Sequence, residues 1–142
     1  MRAKRTNLLV GGILLFSVGV LAWTQLGPRE HVMVSGTFHS VAHKGTGEAQ
    51  VIELPGGSRT LRLPDVKTYP ADDLEVCMIG APDAEDNETV LQAGQVCVGS
   101  YSSKRTYAAY PLPARLDLQR YRAVIIWSRR YQVNFTTAPL VQ

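Results

Sequence analysis

The chain has 142 residues, 45% of them apolar and 19% charged, with 15 Lys and Arg against 12 Asp and Glu. The whole excess of three is Arg2, Lys4 and Arg5, so from residue 29 onward twelve basic residues meet twelve acids. That balance removes the basis for reading a pI near 9.0 as a nucleic-acid-binding protein, and no nucleic-acid partner is expected.

The basic triplet precedes an uncharged stretch from Thr6 to Leu26, most apolar from Leu8 to Trp23, and Gly27-Pro28 ends any helix there. The 16-residue core would rise roughly 24 Å, short of a hydrocarbon layer of about 30 Å, whereas the full 21 residues would span it. Two readings stand, a retained anchor or a cleaved signal peptide. Val20 and Ala22 make a weak cleavage site and Trp23 suits a membrane interface, which favours one N-terminal transmembrane helix. Under the positive-inside rule, residues 1–5 are a cytoplasmic flank and 6–26 the anchor. Residues 27–31 are then a linker, and 32–142 an extracytoplasmic domain, periplasmic or extracellular. The expected partners are the membrane, through this anchor, and another envelope protein. About 110 residues allow one domain with one core.

From His31 the apolar residues recur in short alternating runs punctuated by Gly, Pro, Asn and Asp, which predicts an all-β fold of about eight short antiparallel strands. Val32, Val34, Gly36 and Phe38 share one face of the first. Glu48 to Leu54 and Arg59 to Leu63 flank Pro55-Gly56-Gly57-Ser58, a hairpin turn. Leu74 to Ile79, Val90 to Val98, Thr106 to Tyr110, Tyr121 to Trp127 and Tyr131 to Thr136 follow. The continuously apolar Ala123 to Trp127 predicts a central strand, with the indole in the core and Ser128 emerging near the surface, where Ser128→Ala is expected to change little. In the last run, Gln132, Asn134 and Thr136 predict a strand wet on one face. A β-sandwich is the expected architecture, with a small barrel as the alternative.

Cys77 and Cys97 each lie within a strand pattern and, on the oxidising side of a membrane, predict a structural disulfide. If they pair directly, Glu75 faces Gly99 and Ile79 faces Gln95. Twenty residues of separation do not suit a catalytic dithiol. His39 and His43 lack a third ligand and a helical setting, so no metal site is expected. The acidic turn Pro82 to Glu88 lacks the glycine and spacing of a calcium loop. Blocks of acids (Asp72 to Glu88) and of bases (Lys104 to Arg130) read as solvated surface. Asn87-Glu88-Thr89 and Asn134-Phe135-Thr136 match the glycosylation sequon. Tyr101, Tyr107 and Tyr110 offer a weaker reading, a stacking surface for a carbohydrate or lipid, but aromatics at this spacing more often pack in the core or its rim. No nucleophile elbow, phosphate loop or dinucleotide fingerprint occurs, so no enzymatic activity and no cofactor are expected.

The order Gly36-Thr37-Phe38, His43, Leu61 to Asp65, Asp73-Leu74-Glu75-Val76, Gly99, Tyr121 to Trp127, Val133-Asn134-Phe135 and Ala138-Pro139-Leu140 resembles the DM-thirteen domain over residues 34 to 140. This is a small extracytoplasmic module of bacterial envelope proteins and Skeletor-type animal proteins. His43, Asp73, Trp127 and Ser128 fall on its motif positions. The resemblance implies electron transfer, a proposal that leans on a cysteine directly after the motif tryptophan. Here that position is Ser128, whose hydroxyl neither cycles through a disulfide nor ligates a soft metal as a thiolate does. The expectation is therefore a membrane-anchored, non-catalytic binding module, with a redox accessory domain serving a cofactor-bearing partner as the alternative.

Overall fold

A computed structural model describes residues 29–142, so the segment 6–26 read as an anchor lies outside the described residues. No helix among the described residues is long and apolar enough to cross a membrane. Among the described residues there are nine strands, β1 (His31–Thr37), β2 (His39–Ser40), β3 (Glu48–Glu53), β4 (Arg59–Pro64), β5 (Leu74–Ile79), β6 (Gln95–Ser100), β7 (Tyr107–Pro111), β8 (Ala123–Ser128) and β9 (Val133–Pro139), and one helix, α1 (Asn87–Ala93). They form two antiparallel sheets, ordered β1-β3-β4-β7 and β2-β9-β8-β5-β6. The fold is an all-β sandwich.

Alternation builds the interior. Val51, Leu61 and Leu63 from the first sheet meet Leu74, Val76, Met78, Val124 and Ile126 from the second. The opposite face of the second sheet is also covered, because Val90 of α1 and Ala84 close over Cys77, Ile79, Ile125 and Trp127. A strand buried on both faces must be apolar throughout, which is why β8 reads Ala-Val-Ile-Ile-Trp and sits at the centre of its sheet. Trp127 is 1% exposed.

Four local expectations need correction. The run expected as a strand from Val90 to Val98 divides into α1 and β6. Asp86 caps the helix by accepting from Thr89 N at 2.7 Å, so the acidic turn is a helix start, and Gly94 ends it at φ 78°. In β1 a bulge between Val32 and Val34 breaks the alternation, leaving Val32 exposed while Phe38 is buried. A second bulge, between Val76 and Cys77, moves Glu75 opposite Ser100 instead of Gly99, although Ile79 still faces Gln95. In β9 neither face is wet: Asn134 and Thr137 are fully buried under α1 and the loop before it, and Thr136 under the loop at Gly45, where it donates to His39 O. Asn134 N donates to Asn87 Oδ1, its amide to Thr137 Oγ1, and that hydroxyl to Ala84 O, so the polar residues of the buried face bond among themselves and to the covering loop.

Candidate functional site

Ser128 is 0% exposed, which overturns its expected place at the surface. It ends β8 opposite Leu74, and the turn into β9 folds back over it. Its hydroxyl donates to Asp73 Oδ2 at 2.7 Å and accepts from Tyr131 N at 3.3 Å, while Arg130 N donates to the same carboxylate oxygen at 2.7 Å. The hydrogen bond from Ser128, then that from Arg130 N, holds the Asp73 carboxyl below its ordinary range. Two motif positions separated by 55 residues thus form a closed knot that ties the β8–β9 turn to the entrance of β5.

Cys77 and Cys97 are joined, with Cα atoms 3.9 Å apart, across adjacent positions of β5 and β6. Cys77 is fully buried and Cys97 is exposed on the edge strand. Its sulfur borders a groove of about 430 Å³ with Glu75, Gln95, Trp127, Arg129 and Gln132. Glu75, Cys77 and Cys97 are the one cluster of three potential metal-ligating groups among the described residues, and two of the three are spent in the disulfide.

The two histidines serve different neighbourhoods. His39 Nε2 pairs with Asp83 at 2.6 Å. Burial opposes its charge, but the Asp83 hydrogen bond and the nearby acids outweigh that and raise its pKa. His43 sits in the loop after β2, whose path is fixed by backbone donation from Val41 and His43 to Phe135 O and from Ala42 to Asn134 O. Gly45 lets this loop touch β9, since a Cβ there would lie 1.9 Å from Thr136 Oγ1; Gly47 turns it back at φ 100°. Mutual backbone hydrogen bonds between Thr46 and Lys67 then join it to the segment after β4.

That junction makes a cleft of about 390 Å³ lined by His43, Lys44, Thr46, Lys67, Thr68 and Tyr69. The His43 ring is held between Tyr69, stacked at 4.8 Å and 20°, and Phe135 at 4.2 Å. Tyr69 remains 60% exposed. Lys67 has only Asp65, 3.7 Å away, and Lys44 makes no ion pair among the described residues. The Thr68 hydroxyl is shielded from solvent without a hydrogen-bond partner. β1 runs from His31 to Thr37 toward this loop, so the cleft lies at the end of the sandwich opposite His31, roughly 20 Å away along the strand.

The three tyrosines form no common stacking surface, and two of them pack as the favoured reading had it. Tyr101 is buried and donates to Val66 O, and Tyr110 lies over Gly99 and donates to Ser100 O, which leaves Tyr107 alone exposed. Sequence reading singled out His43 but missed Lys44, Lys67, Thr68 and Tyr69. The one signal for them was that Val66 to Pro70 fits no strand pattern and carries a cation beside an aromatic.

The knot between Asp73 and Ser128 and the buried Trp127 fit a family comparison. The family described as Electron transfer DM13 matches residues 37–140. The chain belongs to that family. No curated protein and no solved structure matches it. Within the DM13 domain, the position after the motif tryptophan is here a solvent-shielded hydroxyl already bonded on both sides. A hydroxyl so placed has no redox couple of its own, so the residues present do not fit a thiol-based electron carrier at this position.

Proposed function

We propose that this protein is a membrane-anchored, extracytoplasmic DM13 module that binds a ligand or an envelope partner and carries out no catalysis. The carrying observation is the cleft of His43, Lys44, Lys67 and Tyr69, a preformed concavity at the end of the domain opposite His31 in which Lys67 is held only loosely by Asp65. Arg2, Lys4 and Arg5 before the uncharged stretch support anchoring with the N-terminus in the cytoplasm. An anchor joined near His31 would turn the cleft away from the bilayer. The test is purification of the full chain from membranes. Mass spectrometry is expected to show the intact N-terminus, and crosslinking to an envelope component is expected to be lost in Tyr69→Ala with circular dichroism unchanged. A mature chain beginning near Trp23 removes the anchor. Crosslinking that persists in Tyr69→Ala removes the cleft.

A second reading, a redox accessory domain, is favoured by one feature: the disulfide exposes Cys97 to a groove beside Trp127 and Arg129. Against it, attack on Cys97 would expel a Cys77 thiolate that is fully buried and beside the Glu75 carboxyl group, an unfavourable leaving group. A haem, flavin or metal band in the absorbance spectrum of the purified chain would decide for this second reading.

A further inference from the structure

The geometry points to a carboxylate carried on a six-membered ring with an apolar face as the ligand of the distal cleft, an inference that rests on the cleft being the binding end. No acid lines the cleft, and Asp65, the partner of Lys67 at 3.7 Å, is solvent-exposed, so a cation is repelled and an anion attracted. A bare anion uses only the lysines. It leaves unexplained an aromatic wall in which His43 is immobilised between Phe135 and Tyr69 while the Tyr69 ring stays open to solvent. A neutral ring uses the wall and leaves two ammonium groups idle. A ring bearing a carboxylate meets both requirements: the ring lies against Tyr69, and the carboxylate reaches Lys44 and Lys67. Thr46 and Thr68 then border its edge. A volume of about 390 Å³ suits one ring unit.

Two sources share this chemistry. A uronic-acid sugar presents a pyranose C–H face to the tyrosine, and an aromatic acid presents a π face. The full chain, held in nanodiscs of neutral lipid, is titrated with an oligogalacturonate, benzoate, glucose and inorganic phosphate, and binding is read by tyrosine fluorescence and by NMR. Saturable binding of the uronate or the benzoate is expected, weakened about tenfold by Lys44→Ala and by Tyr69→Ala, retained in Tyr69→Phe, and reduced by salt. Binding of the uronate alone assigns a sugar acid, and of the benzoate alone an aryl acid. Phosphate binding as tightly as either, glucose binding as tightly as either, or variants without effect overturn the proposal. If neither ring acid binds while Tyr69→Ala still abolishes the membrane crosslink, the ligand class is wrong and the distal binding end stands. If neither ring acid binds and the crosslink survives Tyr69→Ala, both fail.

Discussion

Two clusters of polar side chains differ in how their donors and acceptors are used. In the knot, Asp73 Oδ2 accepts from Ser128 and from Arg130 N, and the Ser128 hydroxyl both donates and accepts. In the cleft, among the described residues, Lys44 has no ion pair, Lys67 a loose one, and Thr68 Oγ1 no partner. A cluster whose donors and acceptors are mutually satisfied can hold only itself, so its substitutions should lower stability. A cluster with capacity left over is able to hold something else, and its substitutions should lower binding and spare the fold.

The largest effect belongs to the closed side of the molecule. Trp127→Ala should destabilise the domain by about 3–5 kcal/mol, because the indole is fully enclosed by Ile125, Cys77 and the covering loop. Denaturant unfolding of the full chain measures it. A loss under 1 kcal/mol would mean that the outer face of the second sheet is open. Next, replacing both Cys77 and Cys97 by Ala should cost about 2–4 kcal/mol without loss of the fold, since the bridge closes a loop holding α1 between positions 20 apart. Free thiols found by alkylation under non-reducing conditions would remove the bridge.

Ser128→Ala sharpens the comparison most directly. Sequence alternation made it a surface change of little consequence. The structure makes it the loss of a part-buried hydrogen bond from a buried hydroxyl, expected to lower stability measurably. The acid limb gives an independent reading. The Asp73 pKa is lowered in the fold, so its contribution is present above the unfolded value of 3.8 and lost as pH falls through the lower folded value. Without the Ser128 hydroxyl, acid unfolding should move up toward the ordinary Asp range.

Why this residue was misread is physical. Alternation in β8 correctly told that Val124, Ile126 and Ser128 share one face and Trp127 the other, but it carries no information on where the sheet's cover ends. That cover at Ser128 comes from Asp73 and Tyr131, one of them 55 residues away. The same limit hid the cleft. The hairpin at Pro55–Ser58, the central strand and the disulfide are local patterns and were legible, as was the family from its ordered motifs. Tyr69 joins His43 only because Thr46 and Lys67 bridge two loops, a contact with no local signature. The polar side of β9 looked wet for a related reason: Asn134 and Thr137 are as polar as surface residues, and only α1, itself misread as a strand, shows what covers them.

His39, on β2 opposite Thr137, pairs with Asp83 and gives a smaller, oppositely signed pH effect. Its pKa is raised in the fold, so the stability it adds is fully present below 6.5 and lost as pH rises through the folded value. The side chain is about a third exposed, which holds the effect under about 1 kcal/mol. Unfolding midpoints of the full chain and of His39→Gln should converge above neutral pH and separate below it. A gap independent of pH would show that His39 acts by packing alone.

The smallest expected effect on stability is also the one that tests the comparison from its other side. Lys44 is exposed, forms no ion pair among the described residues, and follows a histidine whose backbone is fixed by Phe135 O. Truncating it removes no packing and leaves no buried group unpaired, so Lys44→Ala should shift stability by less than about 0.5 kcal/mol. The same substitution should weaken binding of an anionic ring ligand, because it removes half of the positive charge in the cleft. A clear loss of stability in Lys44→Ala would mean that the lysine has a structural partner and that the cleft, like the knot, only holds itself.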